Sequence, residues 1–453
     1  MKVSPPQITA ELSVIIDSRI YGYLFAPIIA AFDAKGVRIF IYTPSRIQQS
    51  VRKDIGAHDH VEFLDLDPIR KRNRWRWLVH RIAMDLFVRD DFSYQMHKQK
   101  KEITKVLPPL RRTLVKLSRL LPKVQNRAIN HFVERLAGIG MRNPLRTRTI
   151  MAGSLNASAE LLCAKDQTVI TVMESWDHAV KHPNGYTSEL VFAWNDDLKE
   201  DWQRVHNDQN VQVFYPLKLR YARERVARWP KPKRQDCRPF FVYSVASTRR
   251  FSIKLVVELE QRLIRDMARA AETAGWDLFI KPRPNGEDGE FSAIVEEFPR
   301  VRVGSIVDQE VGIAADYFLS DVYNKTRFSE IEGAEFVVNA FTTFGLDAAA
   351  AGIPVLQLDV RKADGYAVSS QYYNNYHLKT YLLQRNPVLT IEGDFLAGFS
   401  DFLKSPNSIP QQYSDELAGW LFSNRSQEEA INDLVDKSIA QALIPIETPS
   451  AVD

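Results

Sequence analysis

Short apolar runs alternate along the chain with segments of helical period. Residues 12–17 (LSVIID) read as a strand buried on both faces, 18–23 as a loop, 25–35 as a helix closed by Gly36, and 37–42 as a second strand. Such a strand, helix, strand unit crosses over right-handedly and opens a doubly wound domain. The apolar run 61–64 follows, and after a long interruption the pattern resumes with strands at 149–154, 168–174, 190–195 and 211–214, a helix after the first of these and another over 197–206. A second series starts with a strand at 240–244 and a long helix, 253–274, stopped by Gly275. A strand entering the turn 277–284 comes next, then short strands or helix flanks at 301–303 and 317–319.

The most sharply patterned unit is 334–359, AEFVVNAFTTFGLDAAAAGIPVLQLD. Residues 335–338 predict a buried strand, Thr342-Thr343-Phe344-Gly345 breaks it, and the alanine run after Asp347 predicts a helix. Gly352 suits a left-handed stop and Pro354 opens the next strand, 355–358. The turn offers two hydroxyls and helix N-terminal amides at the carboxyl edge of a parallel sheet, where a nucleotide phosphate is stabilised. The plainer reading is that Thr342 and Thr343 cap a helix.

The whole pattern predicts an α/β chain with two doubly wound, Rossmann-like domains: 1–220, then a proline-containing basic linker at 221–239, then 240–425, with a closing helix and tail over 426–453. A length of 453 residues, 45% hydrophobic and 26% charged, suits two such domains. The two cysteines, Cys163 and Cys237, have neither metal-ligand spacing nor a disulfide framework, which fits a reducing compartment and argues against a structural zinc. The opening residues lack the apolar run of a signal peptide, and no stretch is apolar for the eighteen or so residues that span a bilayer. The expectation is a cytoplasmic protein, or one held peripherally on the inner face of a membrane.

Charge changes the picture between 70 and 148. That stretch holds about 21 Lys and Arg against about 5 Asp and Glu, whereas the whole chain is only +4. Trp75, Trp77, Leu78, Ile82, Leu86 and Phe87, then Leu110, Leu114, Leu117, Leu120 and Leu121, recur at helical spacing among the basic residues. Amphipathic basic helices suit an anionic membrane surface or an acidic acceptor; a solvated helical insertion is the simpler alternative. No DNA- or RNA-binding motif accompanies the charge, so nucleic acid is not an expected partner.

Candidate chemistry lies at the predicted strand ends. Asp17 and Arg19 follow the first strand, with Asp17 either a base or the cap of a turn. Asp65 and Asp67 form a D-x-D that reads as strand-end acids. The strand 168–174 delivers Glu174-Ser175-Trp176-Asp177-His178, a carboxylate pair with a histidine suited to taking a proton from an acceptor hydroxyl.

The run ESWDH at 174–178, followed by LVFAWNDDLKEDWQRVH, resembles bacterial glycosyltransferase-like proteins of the GT-B fold, including the CDP-glycerol glycerophosphotransferase and capsule-polysaccharide transferase types. Ser175, Trp176, Asp177, Trp194, Asn195 and His206 match that pattern, and His178 stands where Asn is usual. The strand and turn ending Lys281-Pro282-Arg283-Pro284 resembles the family's Lys-Pro-His-Pro, with Arg283 in place of the His, so a proton-transfer role of that His does not carry over; arginine stays protonated and pairs with phosphate. Thr342, Thr343 and Asp347 occupy the places of the family's Ser-Thr turn and Asp-Ala helix, and His377 falls where relatives often carry a His.

The resemblance covers most of the chain outside the basic insertion. It implies two domains facing a cleft and a glycosyltransferase moving a sugar from a nucleotide-sugar donor to a surface-glycan or lipid-linked acceptor, with no metal or other cofactor. Asp177, Glu174 and Asp17 compete as catalytic base. The donor set is Ser244, Lys281, Arg283, Thr342, Thr343, Gly345 and Asp347, and Arg19, Trp176, His178 and His377 line the acceptor side or cleft. Transfer of a polyol-phosphate, sugar-nucleotide epimerisation, and a non-catalytic glycan- or membrane-binding protein that kept the fold are the alternatives.

Overall fold

A computed structural model of the protein describes residues 10–72, 145–154, 167–174, 188–206, 210–220, 222–223, 238–246, 254–283, 289–304, 328–342, 344–367, 384, 388–405, 411–423 and 425–442. The chain divides into two compact units, Met1–Lys218 with Phe422–Asp453, and Leu219–Leu421. Each is a doubly wound, Rossmann-like α/β unit built on one parallel sheet.

The first unit contains β1 (Glu11–Ile15), α1 (Arg19–Ala34), β2 (Arg38–Thr43), α2 (Ser45–Ile55), β3 (Val61–Asp65), β4 (Thr149–Gly153), β5 (Thr168–Val172), β6 (Leu190–Ala193), α3 (Asp196–His206) and β7 (Val211–Val213). Its seven parallel strands run in the order β3-β2-β1-β4-β5-β6-β7, so the direction of winding reverses between β1 and β4. Strands β1, β4, β5 and β6 are buried almost throughout, as their near-continuous apolar runs demand of a sheet covered on both faces. Helix α1 covers it with Tyr21, Leu24, Phe25, Ile28, Ile29 and Phe32, all buried.

Residues 18–23, expected to be a loop, are mostly the first turns of α1. Ser18 is extended at the N-cap (φ −140°, ψ 156°), and the apolar spacing Tyr21, Leu24, Phe25, Ile28 begins earlier than the Phe25 start assigned from sequence. Gly22 sits within that helix because its bare Cα faces Val51 of α2, whose Cγ1 lies 3.3 Å from where a Cβ would stand.

The second unit contains β8 (Phe240–Ser244), α4 (Lys254–Ala274), β9 (Asp277–Lys281), α5 (Ser292–Glu297), β10 (Val301–Val303), β11 (Phe336–Asn339), α6 (Phe344–Ala350), β12 (Val355–Ala363), β13 (Val388–Gly393) and α7 (Phe395–Lys404). Its six strands are parallel in the order β10-β9-β8-β11-β12-β13, with the reversal between β8 and β11. Aromatic rings fill the layer between sheet and helices: Phe241 stacks on Phe336 (5.4 Å, 4°) and meets Phe399 edge-on at 5.6 Å. Helix α6 starts at Phe344, ahead of Asp347, and β12 continues past Leu358 to Ala363 with a shift in its pairing to β13 after Asp359.

Helix α8 (Gln411–Phe422) carries the chain out of the second unit, and α9 (Gln427–Ala442) belongs to the first. The start of α9 is a capping box: the Ser426 amide donates to Glu429 Oε2 (3.1 Å) and the Glu429 amide to Ser426 Oγ (3.2 Å). Ala430, Ile431, Leu434 and Val435 are buried on this helix, which lies against α1, β5 and β6. Among the described residues, no helix is long and apolar enough to cross a membrane.

Candidate functional site

In the first unit the pairing register sets Ile15 level with Ala152, and Gly153 level with Val172. Asp17, Ser154 and Glu174 therefore leave the sheet at one carboxyl edge, beside the β1/β4 reversal where doubly wound sheets form their ligand crevice. Glu174 is the centre of this cluster and is only 8% exposed. Tyr21 donates its hydroxyl to Glu174 Oε1 (2.5 Å), and Ser154 Oγ donates to Oε2 (3.2 Å). Burial pushes the Glu174 carboxyl up to about 8 from an ordinary 4.5; the hydrogen bonds from Tyr21 and Ser154 oppose the rise and the charge of Asp17 adds to it. The group is thus a carboxylic acid near neutrality, able to give or take one proton.

Backbone contacts hold this carboxyl in place. Trp194, at the end of β6, donates its indole N–H to the Met173 carbonyl (2.8 Å), the peptide that leads into Glu174. Asn195 accepts the Leu198 amide at 3.0 Å and so caps α3. The Trp-Asn pair that carried the family resemblance is therefore a structural element that fixes the strand behind the cluster. Asp65 and Asp67 are likewise structural: Asp67 accepts the Ser45 amide at the head of α2, and Asp65 accepts the Asp67 amide (both 3.0 Å).

In the second unit, Ser244 is level with Lys281 and Asn339 with Gln357, which brings the ends of β8, β9, β11 and β12 to one edge. Ser244 itself is buried. The loop after it is clamped at both backbone groups of one residue: the Ala246 N–H donates to Glu260 Oε1 (2.7 Å), which also takes the Tyr243 hydroxyl (2.8 Å), and the Ala246 carbonyl accepts from Arg283 Nη1 (3.0 Å). Arg283 is exposed.

Lys281 differs from the reading that paired it with Arg283 on a phosphate. It is buried, and its ammonium lies 2.7 Å from Glu330 Oε2, because a lysine this far out of water needs a counter-charge. Gly304 makes room for that pair, since a Cβ there would lie 2.9 Å from Glu330 Oε2.

Thr342 Oγ1 accepts the Phe344 amide (3.2 Å) at the head of α6, which is the capping role. Gly345 is buried and closely packed: a Cβ on it would stand 3.1 Å from Val355 and 3.2 Å from Asn339, so it lets the helix close onto the sheet. Asp347 lies half-buried in the first turn of α6. Beneath the turn, Asn339 Nδ2 donates to Gln357 Oε1 (2.7 Å) and Gln357 Nε2 to the Ala340 carbonyl (2.9 Å).

Trp176, Asp177, His178, Thr343, His377 and the basic segment 73–144 lie outside the described residues, and of Arg19 only the backbone, the first residue of α1, is described. The cluster joins two of the sequence candidates, Glu174 and Asp17. It adds Tyr21, Gly153 and Ser154, which the sequence marked only as parts of a loop and a strand end. Among the described residues, no group of three or more His, Cys, Asp or Glu is arranged to hold a metal ion.

No protein-family profile and no curated protein matches the chain. Among solved structures it is similar to the calicheamicin glycosyltransferase CalG4 at 12% identity and a TM-score of 0.46, covering 96% of this chain and 99% of that one. It is also similar to the spinosyn rhamnosyltransferase SpnG complexed with thymidine diphosphate, at 14% identity and 0.41, over 94% and 100% of the two chains. A third is a putative UDP-N-acetylglucosamine 2-epimerase from Listeria monocytogenes, at 10% identity and 0.45, over 94% and 95%. Likenesses this remote assign no activity and no residue's role.

Proposed function

We propose that the protein is a glycosyltransferase of the GT-B kind, moving a sugar from a nucleotide-sugar donor held at the edge of the second unit to a hydroxyl of a glycan or lipid-linked acceptor held at the edge of the first. The observation that carries this reading is Glu174: a buried carboxyl at the sheet reversal, hydrogen-bonded on both oxygens and protonated near neutral pH. The order of motifs through 174–206, 277–284 and 334–359 supports it, as does the parallel sheet of each unit.

In this mechanism the ionised Glu174 takes the proton of the acceptor hydroxyl as that oxygen attacks the donor's anomeric carbon. The bond to the nucleotide phosphate breaks, and the nucleotide leaves with the electron pair; Arg283 belongs to the donor-binding residues of the second unit. Asp177 is the competing base and Asp17 a third carboxylate of the same edge. The basic segment between 70 and 148 brings the enzyme to the anionic surface that carries its acceptor.

The test is a transfer assay with CMP-, CDP-, UDP- and GDP-linked donors, run after a binding screen against the free nucleotides. Glu174→Gln is expected to lower turnover by about 100-fold or more with nucleotide affinity retained. With Glu174 as base, kcat/KM rises about tenfold per pH unit below pH 8 and levels off above it. Wild-type turnover in Glu174→Gln removes Glu174 from the chemistry. Nucleotide binding without any product marks a binder that kept the fold, and an epimerised donor without acceptor linkage marks an epimerase.

A further inference from the structure

We propose that Tyr21 is a positioning residue for the reaction: its hydroxyl, reaching across the bare backbone of Gly153 from the first turn of α1, holds the Glu174 carboxyl in the orientation and charge state from which the proton is transferred. This rests on the reading of Glu174 as the proton-transfer group.

Three parts of the sheet edge meet at one point. Tyr21 is buried at 4% exposure, its ring stacks on Phe25 (5.9 Å, 27°), and its hydroxyl reaches Glu174 Oε1 at 2.5 Å. The ring crosses the place where any other residue at 153 would carry a side chain. A Cβ there would lie 1.9 Å from one ring carbon of Tyr21, 2.7 Å from a second and 2.6 Å from Glu174 Oε2. The absence of a side chain at Gly153 is therefore what lets tyrosine and glutamate touch.

Neither Gly153 nor Tyr21 has a local reason to be what it is. Gly153 is the last residue of a fully buried strand, where a β-branched residue packs better. Tyr21 on an apolar helix face could be Phe if packing were its whole task. Tyr21 from α1, Ser154 after β4 and Asp17 after β1 face Glu174. Tyr21 and Ser154 stabilise the carboxylate and Asp17 opposes it, so Tyr21 acts on the form that accepts the proton.

Infrared titration of the Glu174 carboxyl in the full chain, with its band assigned by loss in Glu174→Gln, reads the effect without substrate. Tyr21→Phe keeps the ring and its packing. It is expected to move the titration midpoint up by about one to two pH units, as removal of a hydrogen bond to a charged group implies. In the transfer assay at pH 7 the same variant is expected to lose at least tenfold in kcat with KM within about twofold.

Gly153→Ala drives the ring aside and is expected to shift the midpoint in the same direction; if it fails to fold, Tyr21→Phe alone decides. A midpoint unchanged in Tyr21→Phe overturns the proposal whatever the activity. A shifted midpoint in a protein that transfers nothing supports the hold of Tyr21 on Glu174 and sinks the transferase reading instead.

Discussion

The burial of Glu174 bears on stability as well as on its proposed chemistry. Its carboxyl ionises near 4.5 when exposed and at about 8 in the folded chain. Below pH 4.5 both states are protonated, so the contribution of this group is fully present. Between about 4.5 and 8 the unfolded chain releases a proton that the folded chain keeps, and stability falls by about 1.4 kcal/mol per pH unit. Above about 8 the loss levels off. Urea denaturation at intervals from pH 5 to pH 8 is expected to show that decline in the wild type and a shallower one in Glu174→Gln; parallel slopes would mean that the carboxyl is solvated. The sequence exposed Glu174 as a strand-end acid, but its raised proton affinity comes from burial in the folded sheet, and the hydrogen bond that opposes the rise comes from Tyr21, 153 positions away.

At the scale of elements, the turn between β11 and α6 is held by a buried amide pair. Gln357 on β12 bridges Asn339 and the Ala340 carbonyl, and both side chains are fully buried. Gln357→Leu keeps the approximate volume and leaves two buried polar groups without that partner, at about 1 to 3 kcal/mol each. A fall of about 2 to 5 kcal/mol in unfolding free energy is expected, and a change below 1 kcal/mol would mean that the bridge is replaced by water. The strand, turn, helix, strand pattern here was legible from the apolar run, the threonines and Gly352. The polar pair beneath it was not, because Asn339 and Gln357 read singly as polar residues interrupting strands. Helix α2 and the elements β13 and α7 went unread as well: α2 is rich in Arg, Gln and Lys, and its apolar stripe is only Ile47, Val51 and Ile55.

At the scale of the molecule, a surplus of roughly +16 charges within about 80 residues sets the basic segment apart from the rest of the chain. The proposal that it seats the enzyme on an anionic surface predicts sedimentation with vesicles that grows with anionic lipid content. The binding should fall steeply as salt shortens the screening length below about 8 Å. Binding that ignores lipid charge, or that survives deletion of the segment, would leave these residues serving the acceptor or the fold.

Two doubly wound sheets followed from the sequence alone, because buried parallel strands need near-continuous apolar runs and their crossover helices a 3.6-residue stripe, both written locally. The closing helix was also expected, and the capping box of Ser426 with Glu429 gives its start a local cause. Tertiary structure decided which residues meet. Gly153 has its reason only once α1 lays Tyr21 over β4, and the counter-charge of the buried Lys281 is found only once Glu330 arrives beside it. Such pairings depend on strand register and on the order in which strands assemble, and contacts between segments so far apart leave no period in the chain for a reader to find.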